Sequence, residues 1–148
     1  MQILSKEIQQ VNNKTGIWID GSKAIIVKLS EAKENITEIE SLIENRIYHD
    51  NEGDKGSFMG KHHISNEKTF EERIKHQTDD FLKQVLEQIQ NDGEIYVFGP
   101  AEIKLKLKNK IESDNQLSSK LKAVESADSM TLNQVVAKVK AFFYNGNN

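Results

Sequence analysis

Gly16-Ile17-Trp18-Ile19-Asp20-Gly21-Ser22-Lys23-Ala24-Ile25-Ile26-Val27 decides the fold. Two apolar, β-branched runs flank a short polar turn, the pattern of a β-hairpin. Ile17 to Ile19 form the first strand, and Ala24 to Leu29 the second. Asp20-Gly21 reads as the tight turn, with Gly supplying a positive φ. Ile25, Val27 and Leu29 share one face, because strand side chains alternate.

Ile36 to Tyr48 is expected to be a third strand. Ile39, Ile43 and Ile47 fall on one face and Glu38, Glu40 and Glu44 on the other. A helix also fits this stretch, but the alternation and the neighbouring strands favour a strand. Residues 50–66 read as a long loop bearing Gly53, Gly56 and Gly60, with Lys55, Lys61, His62 and His63. Thr69 and Glu72 form a capping-box signature, which predicts that a helix opens there. Phe70, Ile74, Phe81, Val85 and Ile89 then lie on one helical face, and Gly93 is the expected stop.

Glu94 to Phe98 reads as a buried strand ending at Gly99-Pro100, with Pro100 suited to the first position of a helix. IKLKLKNKI, residues 103–111, alternates like a strand but also places Ile103, Leu107 and Ile111 at helical spacing. The Gly-Pro start and the length favour helix. Leu121 to Ser126 is the last expected strand. Thr131 and Gln134 cap a final helix that carries Leu132, Val135, Val136, Val139 and Phe142.

Strands joined by tight turns are antiparallel neighbours, and strands joined through a helix are parallel. The expected architecture is therefore α/β: a mixed five-stranded sheet of order 3-2-1-4-5 with helices on both faces. Residues 1–15 read as a polar arm, 16–144 as one domain and 145–148 as a tail. At 148 residues the chain suits a single domain, which typically holds about 100–150.

That order is the ribonuclease H-like plan, and three segments narrow it further. GIWIDGSKAIIV resembles the opening of a bacterial family often labelled translational machinery component. That family is similar to the middle domain of class-1 peptide chain release factors and of Pelota. EIYVFGPAEIKLKLKNKI (94–111) resembles the strand, turn and helix that follow the long helix in both groups. KAVESADSMTLNQVVAKVKAFF (122–143) is similar to the bacterial family's last strand and helix. The resemblance covers residues 16–144. It implies contact with the ribosome or RNA and a cytoplasmic location. Release factors carry Gly-Gly-Gln in the loop before the long helix, where it helps water reach the peptidyl ester. The corresponding EGDKGSFMGKHHIS (52–65) has no Gln, so peptide release is not expected.

Composition constrains the chemistry. There is no cysteine, which excludes disulfides, thiolate metal sites and a cysteine nucleophile. Net charge is −3, so RNA contact would depend on a local basic patch. The opening MQILSKEIQQ has no apolar run of signal-peptide length, and no stretch reaches the roughly 20 apolar residues of a membrane span. No P-loop, dinucleotide fingerprint or Ser-His-Asp spacing is present, and no cofactor is expected.

Two basic clusters are candidate phosphate contacts: Lys55, Lys61, His62 and His63 in the loop, and Lys104 and Lys108 within the Lys104–Lys110 run. The ordinary readings are a solvated loop and a solvated helix face, since these lysines point in several directions. Adjacent histidines diverge, and no metal spacing is present. An alternative is a divalent-metal nuclease or phosphotransferase using Asp20, Asp79 or Asp80, and Asp128. The ordinary role for Asp20 is to bond its own turn backbone. A third reading is a small protein-interaction or self-association domain, although no feature names an interface.

Overall fold

The computed structural model describes residues 13–31, 33–44 and 60–145, with side chains from residue 66 to 144 in the last segment. Strands β1 (Lys14–Ile19), β2 (Lys23–Ser30) and β3 (Lys33–Glu40) form an antiparallel meander. Helix α1 (Gly60–Ile89) leads to β4 (Glu94–Gly99), α2 (Ile103–Glu112) to β5 (Leu121–Ser126), and α3 (Leu132–Lys140) ends in a wider π-type turn, Ala141–Asn145. The sheet order is β3-β2-β1-β4-β5, as the sequence predicts, with β4 parallel to both β1 and β5.

Strand alternation sorts the core into two layers. Ile17, Ile19, Ala24, Ile26, Ile95 and Val97 face α1 and α2, meeting Phe81, Val85, Ile89, Leu107 and Ile111. Trp18, Ile25, Val27, Leu29, Tyr96 and Phe98 face α3, meeting Val135, Val139 and Phe143. Both crossovers move in the same direction along the sheet. Connections of one hand therefore place α1 and α2 side by side on one face. The π-type turn delivers Phe142 onto Tyr96, with parallel rings 4.0 Å apart. The Tyr96 hydroxyl donates to Glu125 Oε1 at 2.6 Å. Burial, then this bond, hold the phenol above its ordinary pKa.

Several boundaries differ from the sequence reading. β1 begins at Lys14, two residues inside the expected arm, while residues 1–12 and 146–148 lie outside the described residues. β3 covers Lys33–Glu40 rather than Ile36–Tyr48. Ser41 diverts it by donating its hydroxyl to Gly21 O at 2.6 Å. Ile43 then packs into the core from outside the strand, and 45–48 are not described. α1 starts at Gly60, so Thr69-Glu72 is an interior i, i+3 pair and not the opening cap. The expected loop 50–66 thus loses residues 60–66 to the helix. No proline interrupts that stretch.

The punctuation residues also act differently. Among the described glycines none has a positive φ, so neither the hairpin nor the end of α1 uses a left-handed Gly. Pro100 precedes the Glu102 cap of α2 by two residues. Thr131 caps α3 as expected: its hydroxyl accepts from Gln134 N at 3.2 Å, and Gln134 Oε1 accepts from Thr131 N at 2.9 Å.

α3 lies unusually close to β1. A Cβ on Gly16 would sit 2.2 Å from Val139 Cγ2 and 2.9 Å from its Cβ. Alanine in a strand gains about 0.5–1 kcal/mol over glycine in backbone entropy. Overpacking a stiff β-branched neighbour costs about 1–3 kcal/mol, so the clash wins. Gly16→Ala should lower stability by about 1–2 kcal/mol in urea unfolding, and adding Val139→Ala should cost less than its separate loss. Simple additivity of the two losses would show that the contact is not the cause.

Candidate nucleic-acid interface

The chain leaves β3 for α1 at a clasped junction. Ser41 N donates to Ser22 O at 2.8 Å, and Ile43 N donates to Ser41 Oγ at 3.2 Å. Glu44 is held by α1: its N–H donates to Gln77 Oε1 at 3.0 Å. Its carboxylate accepts from Arg73 Nε at 2.8 Å, Arg73 Nη2 at 3.1 Å and Gln77 Nε2 at 2.9 Å. The two-pronged Arg–carboxylate geometry fixes direction as well as distance. The hydrogen bond to Glu44 raises the pKa of Arg73 further. From Arg73 back to Gly60, α1 continues for 13 residues, about 20 Å at the usual helical rise. The clasp therefore ties the turn after β3 to the middle of α1.

Between the anchored Ser41 and Ile43, Leu42 is turned outward. It is 79% exposed and has φ 56°, the lone positive-φ residue other than glycine among the described residues. A left-handed conformation costs a branched side chain about 1–2 kcal/mol, sustained here by the bonds on both sides.

The structure distributes the sequence-derived candidates unevenly. Lys55 lies outside the described residues, and Lys61, His62 and His63 occupy the first turn of α1 rather than a loop. Asp20 Oδ1 accepts from Ser22 N at 2.8 Å and Lys23 N at 2.9 Å, so it closes its own hairpin. Asp79 pairs with Lys110 at 3.6 Å, Asp80 is exposed on α1, and Asp128 lies exposed between β5 and α3. Among the described residues no three His, Asp or Glu side chains gather where they could hold a metal ion. The carboxylate set of a two-metal nuclease is not assembled by these residues.

The lysine helix divides by direction. Ile103, Leu107 and Ile111 point into the core. Lys104 is also buried, with its ammonium donating to Ala101 O at 2.9 Å, so it is a lysine of the fold and not of the surface. Lys108 is half-buried. Lys106 and Lys110, one turn apart, instead line a groove shared with α1. The groove has a volume of about 520 Å³, and Lys75 enters from the α1 side. The i, i+4 spacing of Lys106 and Lys110 was visible in the sequence. Lys75 was not distinguishable from any other surface lysine until α1 and α2 were packed together.

Comparison with solved structures finds the same fold in an archaeal translation termination factor. Its TM-score is 0.53 at 15% identity, over 94% of this chain. The chain spans 37% of that factor's length. Another archaeal protein matches with a TM-score of 0.47 and 14% identity, over 97% of this chain and 36% of its own. No protein-family model matches the sequence. No curated protein matches it either. The fold is release-factor-like.

Leu42 gives a direct test of the junction. Leu42→Gly removes the left-handed penalty, about 1–2 kcal/mol, and gives back part of it through the freer unfolded chain. Stability should rise by about 0.5–1 kcal/mol in urea unfolding. A loss of stability would mean that the Leu42 side chain makes a stabilising contact.

Proposed function

We propose that this chain is a non-catalytic, translation-associated module that contacts the ribosome or RNA. The observation that carries the reading is the fold match to a translation termination factor over nearly the whole chain. The pattern of strand, clasped junction and long helix is compatible with the middle domain of such factors, as the sequence resemblance suggested. The segment before α1 contains no Gly-Gly-Gln, which argues for binding without peptide release. On this reading the bacterial family, the single domain at 16–144 and a cytoplasmic location belong together as one proposal.

The basic residues support contact with a polyanion. Lys61, His62 and His63 open α1 beyond the clasp, and Lys106 and Lys110 line α2. Lys55 joins them on the sequence alone. No helix among the described residues is long and apolar enough to cross a membrane. The metal-nuclease alternative loses support because the Asp20 carboxylate is committed to its turn. A protein-interaction role draws on the outward Leu42, a single apolar side chain.

Sedimentation of lysate through a sucrose cushion tests the proposal. The protein should pellet with ribosomes at low salt and be released as salt rises, because phosphate contacts weaken with ionic strength. Retention in the supernatant at both salt concentrations would refute a ribosome-associated role.

A further inference from the structure

We infer that the groove between α1 and α2 is a binding site for the sugar–phosphate backbone of single-stranded RNA, read through Lys75 and Lys106. The inference rests on the proposed translation-associated role and adds a ligand class and a place. The floor comes from Ile74 and Leu82, and the rim from lysines on both helices. Its volume of about 520 Å³ falls within the roughly 300–1,000 Å³ usual for ligand sites.

The charge balance favours an anion. Three lysines and two carboxylates line the groove, and Asp79 is taken by Lys110 at 3.6 Å. Lys75 and Lys106 make no ion pair with any described residue, and both are exposed. Glu71 is the remaining carboxylate, one helical turn before Lys75. As the i, i+4 neighbour of Lys75 it offsets part of that lysine's charge, which leaves Lys106 the stronger anchor for a phosphate. The Asn109 amide also lines the groove and has no hydrogen-bond partner among the described residues. It is free to bond a ribose hydroxyl or a base edge.

The backbone geometry narrows the ligand class. Compact nucleotide sites cradle phosphate with backbone N–H groups from a helix N-terminus or a glycine-rich loop. This groove runs between the sides of two helices, whose N–H groups are used internally. It offers only ammonium groups on flexible stems, which suit repeating charge along a strand better than one tightly held polyphosphate. The half-buried Ile74 gives a ribose a small apolar contact.

The test measures fluorescence anisotropy of a short labelled single-stranded RNA against the full chain. Three proteins are compared: wild type, Lys75→Glu/Lys106→Glu, and Lys33→Glu/Lys122→Glu. The last makes the same charge change at exposed lysines on β3 and β5. The groove variant should lose affinity roughly twenty-fold at about 0.1 M salt, and its log–log salt slope should fall by about 1.4, at ~0.7 per lost contact. The control should lose much less. Lys75→Ala/Lys106→Ala, with a thermal melt matching wild type, guards against a folding defect.

Equal losses in the groove variant and the control would overturn the site, because net charge alone would then explain binding. Wild-type affinity in the groove variant would overturn it as well. A labelled acidic phosphopeptide that binds more tightly than RNA, through the same lysines, would overturn the RNA assignment. If wild type pellets with ribosomes and the groove variant keeps RNA affinity, only the groove assignment fails. If wild type binds neither ribosomes nor RNA, the translation-associated reading fails with it.

Discussion

The close parallel pairing of β1 with β4 is the constraint on which the rest depends. It runs from Lys14 opposite Glu94 to Trp18 opposite Phe98. At its end the backbones crowd together: a Cβ on Gly99 would lie 2.1 Å from Ile19 O. Only glycine lets the strands meet there without moving one of them. This seam joins a locally folded meander to the crossover half of the sheet. It also fixes both helices that flank β4, because α1 enters the strand and α2 leaves it on one face. The groove between those helices is therefore a consequence of the seam.

α1 is pinned at two points by different physics. At its C-terminal end Asp92 is 1% exposed, accepts from Thr15 Oγ1 at 2.6 Å and pairs with Lys28 at 3.3 Å. Lys28 also donates to Gln88 O, and Asn13 O accepts from Gly93 N and Glu94 N at 2.9 and 3.1 Å. A buried, fully partnered carboxylate is expensive to disturb, since removing one partner strands the other away from water. Midway along the helix Glu44 and Arg73 form their pair near the surface, where such pairs contribute little. Stability is concentrated at the base of the sheet. The clasp selects direction more than it adds stability, and the end of the molecule bearing Leu42 is held with less energy.

Much of this was legible in the sequence, for a specific reason. β1, β2 and β4 are buried on both faces, so their apolar runs are continuous and survive any choice of register. α2 and α3 were legible because Ile103, Leu107 and Ile111, and the Thr131–Gln134 cap, are local signals. The end of β3 was not, because Ile39 and Ile43 both reach the core, one from the strand and one from the turn beyond it. Period alone cannot register that Ser41 bonds a backbone carbonyl twenty residues earlier. The start of α1 was hidden for a related reason: S/T-x-x-E is a short local pattern that marks a cap only where the backbone N–H groups are free, and Thr69 to Glu72 lies inside α1. Among the lysines, composition marked a basic run but not its directions. Lys104 turned inward and Lys75 joined from another element, and both facts are tertiary.

Net charge is the weakest guide to where a polyanion would dock. At −3 over 148 residues the chain would be expected to repel phosphate weakly. Yet exposed charges are felt over about 8–10 Å at ordinary ionic strength. Along its lining, a phosphate in the α1–α2 groove meets Lys75, Lys106 and a Lys110 already neutralising Asp79, with Glu71 beside Lys75. The acidic residues of the β3 edge, Glu34, Glu38 and Glu40, lie on the far strand of the sheet, three strands from β4. Each of Lys140 and Lys23 already faces one of those acids, Glu34 at 2.6 Å and Glu38 at 3.9 Å. The edge strand holds acidic groups that discourage strand addition. On the helical face Lys75 and Lys106 have no ion-pair partner among the described residues.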